Sequence, residues 1–171
     1  LGVPKKEIRS QLIDAGVEDD VADAVISEKE KDANSLQFWH KSDKGVVSMI
    51  HIMFKNFLQD KGYYRYYPDG GDNFIFIKVK SNRVDNTTEV EIKDDVLDYL
   101  QELDDLSIYN HFADRTRYFK EDFLSLLDPK SIPFLKDDKD NAYIYYKNCG
   151  VRVTKDGLEI IEYENLGGYV W

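Results

Sequence analysis

The residue types that could do chemistry are present, but their spacing selects few reactions. His40, His51 and His111 show no metal-ligand spacing, and position 55, one helical turn after His51, is a lysine. A zinc pair on a helix face is therefore absent. Cys149 is the only cysteine, which excludes an intrachain disulfide and a cysteine-rich zinc site. It falls in a hairpin turn without a neighbouring histidine, so it is not read as a nucleophile. Three acid pairs, Asp94-Asp95, Asp104-Asp105 and Asp137-Asp138, could in principle hold Mg²⁺. Metal-dependent nucleases and polymerases set such acids at strand ends in an apolar frame, which none of these runs has. They read as helix-start or loop residues. There is no P-loop pattern, no dinucleotide glycine fingerprint and no nucleophile elbow. Gly70-Gly71 and Gly167-Gly168 read as turns. No catalytic residue and no metal ligand is assigned.

The chemistry the sequence does favour is binding. The net charge is −10, which by itself argues against a nucleic-acid partner, but the charge is unevenly spread. Residues 38–83 hold eight Lys/Arg against four Asp/Glu, and residues 84–105 hold one Lys against nine acids. The basic segment also carries ten of the 23 aromatic residues. Cations hold backbone phosphates and ring faces stack on bases, so this mixture suits a nucleic-acid surface. The candidate contacts are Lys55, Lys61, Arg65, Lys78 and Lys80, with Tyr63 or Phe76 as a stacking platform. A second reading stays open: the rings are core, the lysines are ordinary surface, and Arg65 pairs with an acid of 94–105.

The elements that must position these residues follow from periodicity. Residues 4–15 and 18–31 read as two helices, with Pro4 in the first turn and Ile8, Leu12, Ile13, then Val21, Ala22, Val25 and Ile26 on apolar stripes. Residues 1–35 are thus a helical annex and linker, and 36–171 an α+β domain. Residues 46–61 read as a helix with Val47, Ile50, Phe54, Phe57 and Leu58 buried, stopped by Gly62. Strands follow at Tyr63–Tyr67 and 74–80, making a β-hairpin across a Gly-rich loop. In 74–80, Ile75, Ile77 and Val79 face one way, and Phe74, Phe76, Lys78 and Lys80 the other. Helix then hairpin is also how a winged helix presents its recognition helix and wing. A short strand is read at Thr88–Ile92, a helix at 93–104, and one or two helices at 107–127 with Ser107 as N-cap. Pro129 and Pro133 end that region. The C-terminal part is an antiparallel β-meander of 142–147, 151–154 and LEIIEY, with Asp156-Gly157 as a hairpin signal.

With 171 residues, 42% of them hydrophobic and 13% aromatic, the chain can bury a core and is not of disordered type. No apolar run reaches the roughly 18 residues a membrane helix needs. The N-terminus LGVPKKEIRS has no signal-peptide core, so a cytoplasmic setting without a membrane partner is expected. A first residue of Leu and a Gly-Gly-Tyr-Val-Trp end suggest a section of a longer chain.

Several motifs resemble one family. They are Phe38-Trp39-His40; the helix ending Phe57-Leu58-Gln59-Asp60-Lys61-Gly62-Tyr63-Tyr64-Arg65-Tyr66; the Phe-Ile-Phe-Ile-Lys strand; Ile132-Pro133-Phe134-Leu135; Ala142-Tyr143-Ile144-Tyr145-Tyr146-Lys147-Asn148; Val151-Arg152-Val153-Thr154; and Gly168-Tyr169-Val170-Trp171. Residues 36–171 are similar to the region before the ATPase core of DNA primase–helicases of phages and mobile elements, commonest in Bacteroidetes. The resemblance implies a non-catalytic accessory segment in DNA replication, between primase and helicase modules of the same chain. No cofactor belongs to this segment, and ATP and Mg²⁺ would belong to the parent. The competing expectation is a protein-interaction module, acting through a homo-oligomer or a docked domain without DNA.

Overall fold

The structure is a computed structural model that describes residues 37–171. The helical annex expected at 1–35 lies outside the described residues. The architecture is α+β: four helices and three antiparallel sheets among the described residues. Among the described residues, two compact units are interleaved along the chain, residues 37–57 with Lys93–Tyr118, and Leu58–Ile92 with Phe119–Trp171. None of the described helices is long and apolar enough to cross a membrane.

In the first unit, β1 (Trp39–Lys41) pairs with β2 (Val47–Met49), Trp39 opposite Met49. The helix expected over 46–61 is therefore α1 (His51–Asp60) preceded by a strand. The Ser42–Gly45 turn explains the difference. Ser42 Oγ accepts the Val46 N–H at 3.1 Å, and Gly45 at φ +79° reverses the chain before Val47. The Phe38 ring is fully buried, 4.5 Å from Phe57, 5.1 Å from Phe54 and 5.2 Å from Phe112 between centroids. Such tilted and edge-on ring packing is the favoured geometry for aromatic pairs. The unit also takes Lys93–Gln101 of α2 (Glu89–Gln101) and α3 (Leu106–Ala113), which bury Val96, Leu100, Ile108 and Phe112. The N-cap of α3 is Asp105, not Ser107: its Oδ1 accepts the Ser107 N–H at 3.0 Å.

The second unit is built on β3 (Tyr63–Tyr66), β4 (Ile75–Lys80) and β5 (Arg83–Thr87), with β4 central. In place of a free two-stranded wing, the hairpin carries a third strand, and each outer strand carries one isolated bridge. On β3, the Arg65 N–H bonds the Asp128 carbonyl and its own carbonyl takes the Lys130 N–H. On β5, the Val84 N–H bonds the Val170 carbonyl, and the Val170 N–H the Asn82 carbonyl. Residues 133 and 135 bond Tyr169 in turn, so isolated bridges link the segments beside β3 and β5. One face of this sheet packs Ile77, Val84 and Ile132 with Tyr64, Tyr66, Ile75 and Val79, the face expected from alternation. The strand read at Thr88–Ile92 is instead the residue before α2 and the first turn of α2. Thr88 Oγ1 accepts the Glu91 N–H, and Glu91 Oε2 accepts the Thr88 N–H. That reciprocal pair begins a helix four residues earlier than read. Region 107–127 breaks into α3, a 3₁₀ turn at Thr116–Phe119 and α4 (Glu121–Leu124).

The meander is present as β6 (Ala142–Tyr145), β7 (Gly150–Thr154) and β8 (Gly157–Ile161). Its inner face presents Tyr143 and Ile161 to Tyr163, Leu166 and Val170. Its register puts Ala142, Ile144, Val151, Val153, Leu158 and Ile160 together on the other face. Of these, Leu158 is 75% and Ile160 76% exposed.

Candidate nucleic-acid interface

Five of the seven candidate residues share one face of one sheet. The register sets Tyr63 opposite Lys78 and Arg65 opposite Phe76, so Tyr63, Arg65, Phe76, Lys78 and Lys80 project from the side away from the Ile77 core. Lys61 joins them at one end of the sheet. Gly62 ends α1 in a left-handed conformation (φ +91°), and its carbonyl takes the Val79 N–H at 2.8 Å. Arg83, not picked out from the sequence, faces Lys80 across the tight Ser81-Asn82 turn. Both turn residues have positive φ, as a two-residue hairpin with right-handed strand twist requires. Lys55 lies on α1 in the first unit and is half-buried.

The two proposed stacking rings are not open to a base. Tyr63 is 1% exposed and Phe76 8%. Lys78 Nζ sits 4.8 Å from the Tyr63 ring centroid, a cation–π contact on an already covered ring. Nothing in the alternation of 74–80 reveals this, because alternation separates two faces without saying what covers each.

Arg65 follows neither reading made of it. Its Nε donates to the Leu127 carbonyl at 2.6 Å, Nη1 donates to the Tyr67 hydroxyl at 3.2 Å, and its guanidinium lies 5.3 Å from the Phe74 centroid. It ties β3 to the segment before Pro129. The expected neutralisation by the acidic stretch falls on another residue: Lys41 pairs with Asp105 in the first unit.

The cations at the end of the sheet are Lys61, Lys78, Lys80 and Arg83, with Asp85 as the only acid on β3, β4 and β5. Arg83 Nη2 is 3.5 Å from Asp85 Oδ1, and the guanidinium lies 5.4 Å from the Tyr163 centroid. The adjoining cleft is lined by Lys80, Arg83 and Lys147 but also by Asp85, Glu162 and Glu164. An anion gains little inside that balanced cleft. Of the four sheet-end cations, Lys61 and Lys78 are not among its lining residues.

A second cleft of about 680 Å³ is lined by Tyr66, Tyr67, Pro129, Lys130, Phe134 and Lys136, among others, with no acid in its lining among the described residues. The signal for it was present in the sequence as two prolines bracketing Lys130 and leading into Phe134. Asp137 and Asp138 serve the turn that follows. Asp137 Oδ1 accepts the Tyr143 N–H, and Asp138 Oδ1 accepts those of Asp140 and Asn141. The Asp140 and Asn141 bonds hold the Asp138 carboxyl below the usual carboxylate range.

Comparison with protein-family models, with curated proteins and with solved structures gives no match for this chain.

Proposed function

We propose that this chain is a non-catalytic accessory module of a phage-type DNA primase–helicase, working in DNA replication and contacting DNA through the basic end of its three-stranded sheet. The flanking primase and helicase modules of a longer chain would supply the ATP and Mg²⁺ chemistry. The observation that carries the DNA contact is the register. Lys78 and Lys80 lie on one face of β4, Arg83 lies opposite Lys80, and the Gly62 bond to Val79 brings Lys61 to the same end. Fixed cations at that spacing neutralise phosphates and release their counterions, which gives sequence-independent, salt-sensitive binding.

The test is a salt series of gel shifts on single-stranded and forked DNA. Loss of two phosphate contacts in the double variant Lys78→Glu, Lys80→Glu should flatten the single-strand slope of log affinity against log salt by about 1.4. No binding at low salt, or binding indifferent to the double reversal, overturns the DNA contact.

A second reading, a protein-interaction module without DNA, is favoured by one specific observation: the exposed apolar face of the β6–β8 meander.

A further inference from the structure

We infer that the Tyr66–Phe134–Trp171 surface beside the second cleft is a stacking subsite for the unpaired bases of a single-stranded nucleic acid, with Lys130 and Lys136 as its phosphate contacts. The inference rests on the nucleic-acid reading above, but it uses none of the residues of the basic sheet end. Phe134 is held by its neighbours: residues 133 and 135 are hydrogen-bonded to Tyr169 on either side of it. The Trp171 ring stacks on Phe134 at 5.2 Å and 22° between planes, and Tyr66 meets both rings edge-on at 5.9 Å. Trp171 nonetheless remains 55% exposed. A large flat ring, braced by two aromatic neighbours and still more than half open, is what base stacking uses, because every base has a ring face to offer.

The charge points the same way. Among the described residues, the cleft beside these rings is lined by two lysines and by no acid, unlike the balanced cleft near Arg83. Lys130 is held in place, its Nζ 4.5 Å from the Tyr64 centroid and 5.8 Å from that of Tyr169. Lys136 is exposed. Aromatic platforms next to fixed cations suit a ligand that alternates flat rings with anionic links. A proline-rich peptide would use the rings but gains nothing from the lysines. A continuous duplex cannot use the rings, because its bases are already stacked.

The experiment is a low-salt titration of the 171-residue chain with a short oligothymidylate, read by tryptophan fluorescence. Trp39 is 7% exposed, so quenching reports on Trp171. The expected result is quenching on binding and an affinity about tenfold lower for Trp171→Ala, with Trp171→Phe restoring most of it because a phenyl ring still stacks. Lys136→Glu should flatten the salt slope by about 0.7. Circular dichroism of each variant reads folding separately. Binding without quenching and indifferent to Trp171→Ala overturns the subsite while leaving the sheet-end contact standing. No binding of any DNA at low salt overturns both. Equal affinity for a duplex, or quenching by a polyproline peptide and not by oligothymidylate, also overturns the subsite.

Discussion

At the residue scale, two positions carry more of the structure than their neighbours. Gly62 stands at φ +91°, and a Cβ there would lie 2.2 Å from the Val79 carbonyl oxygen. Gly45 has a similar φ of +79°, but a Cβ there would meet nothing within 4 Å. The left-handed backbone alone costs an alanine about 1–2 kcal/mol. Gly45→Ala should therefore lose about that much in urea unfolding, and Gly62→Ala more than about 3 kcal/mol, since α1 or β4 must shift as well. Equal losses would show that the α1–β4 junction is not tight. Asp105 is the second position. It accepts hydrogen bonds from Lys41 and from Ser107, and these hold its carboxyl down at about 2 against an ordinary 3.8. A carboxyl depressed by folding stabilises the protein above its unfolded value and loses that contribution as pH falls through its folded one. Asparagine caps helices as well as aspartate does, so Asp105→Asn isolates the charge. The variant should be less stable than the parent at neutral pH, and the gap should close between about pH 4 and 2. A gap that is constant with pH would mean Lys41 contributes nothing there.

At the element scale, α2 begins with the reciprocal Thr88–Glu91 pair, at 2.7 Å and 3.2 Å. Thr88→Ala leaves the Glu91 backbone N–H without its side-chain partner and should cost about 1 kcal/mol in thermal or urea unfolding. A loss near zero would mean that α2 is held by its buried Ile92, Val96 and Leu100 alone. This same start was misread as a strand, and the reason is physical. Thr88, Val90 and Ile92 carry β-branched side chains at alternate positions into the first turn, so the strand pattern ran past the cap. The other misreading is of the same kind. Val47, Ile50, Phe54 and Phe57 are spaced 3, 4 and 3 apart, as a helix face would be. Yet Val47 belongs to a three-residue strand, too short for alternation to show. Where the pattern was longer, in 74–80 and the C-terminal meander, strands and faces were legible. The candidate site was legible to the same depth. Period two placed Tyr63, Arg65, Phe76, Lys78 and Lys80 on one face, but it does not reveal that Lys78 sits over Tyr63 and that Phe74 packs against Phe76. Arg65 illustrates the limit: its partner carbonyl is 62 residues away.

At the scale of the whole molecule, the charge total and the apolar surface pull toward different partners. A net charge of −10 repels nucleic acid at long range, so any DNA contact must be local and strongest at low salt. The apolar face of the meander is indifferent to salt. Leu158 and Ile160 lie on β8, the last strand of that sheet, and pair with Val153 and Val151 across it. Arg152 and Glu159 pair on the opposite face, so no charge interrupts the apolar one. An edge strand with such a face invites a second copy, since a two-fold contact uses every exposed side chain twice. Burying one large aliphatic side chain contributes about 1.5–3 kcal/mol. The double variant Leu158→Lys, Ile160→Lys should therefore weaken self-association by at least about 100-fold. Light scattering over a concentration series, at low and high salt, reads this directly. A mass that rises with concentration in the parent chain, persists in high salt and stays at one chain in the double variant is the expected outcome. A parent chain that stays at one copy throughout removes the homo-oligomer, and a variant that self-associates like the parent moves the contact elsewhere. If the double variant also keeps its DNA affinity, the two surfaces act independently, and the basic sheet end does not depend on the oligomer.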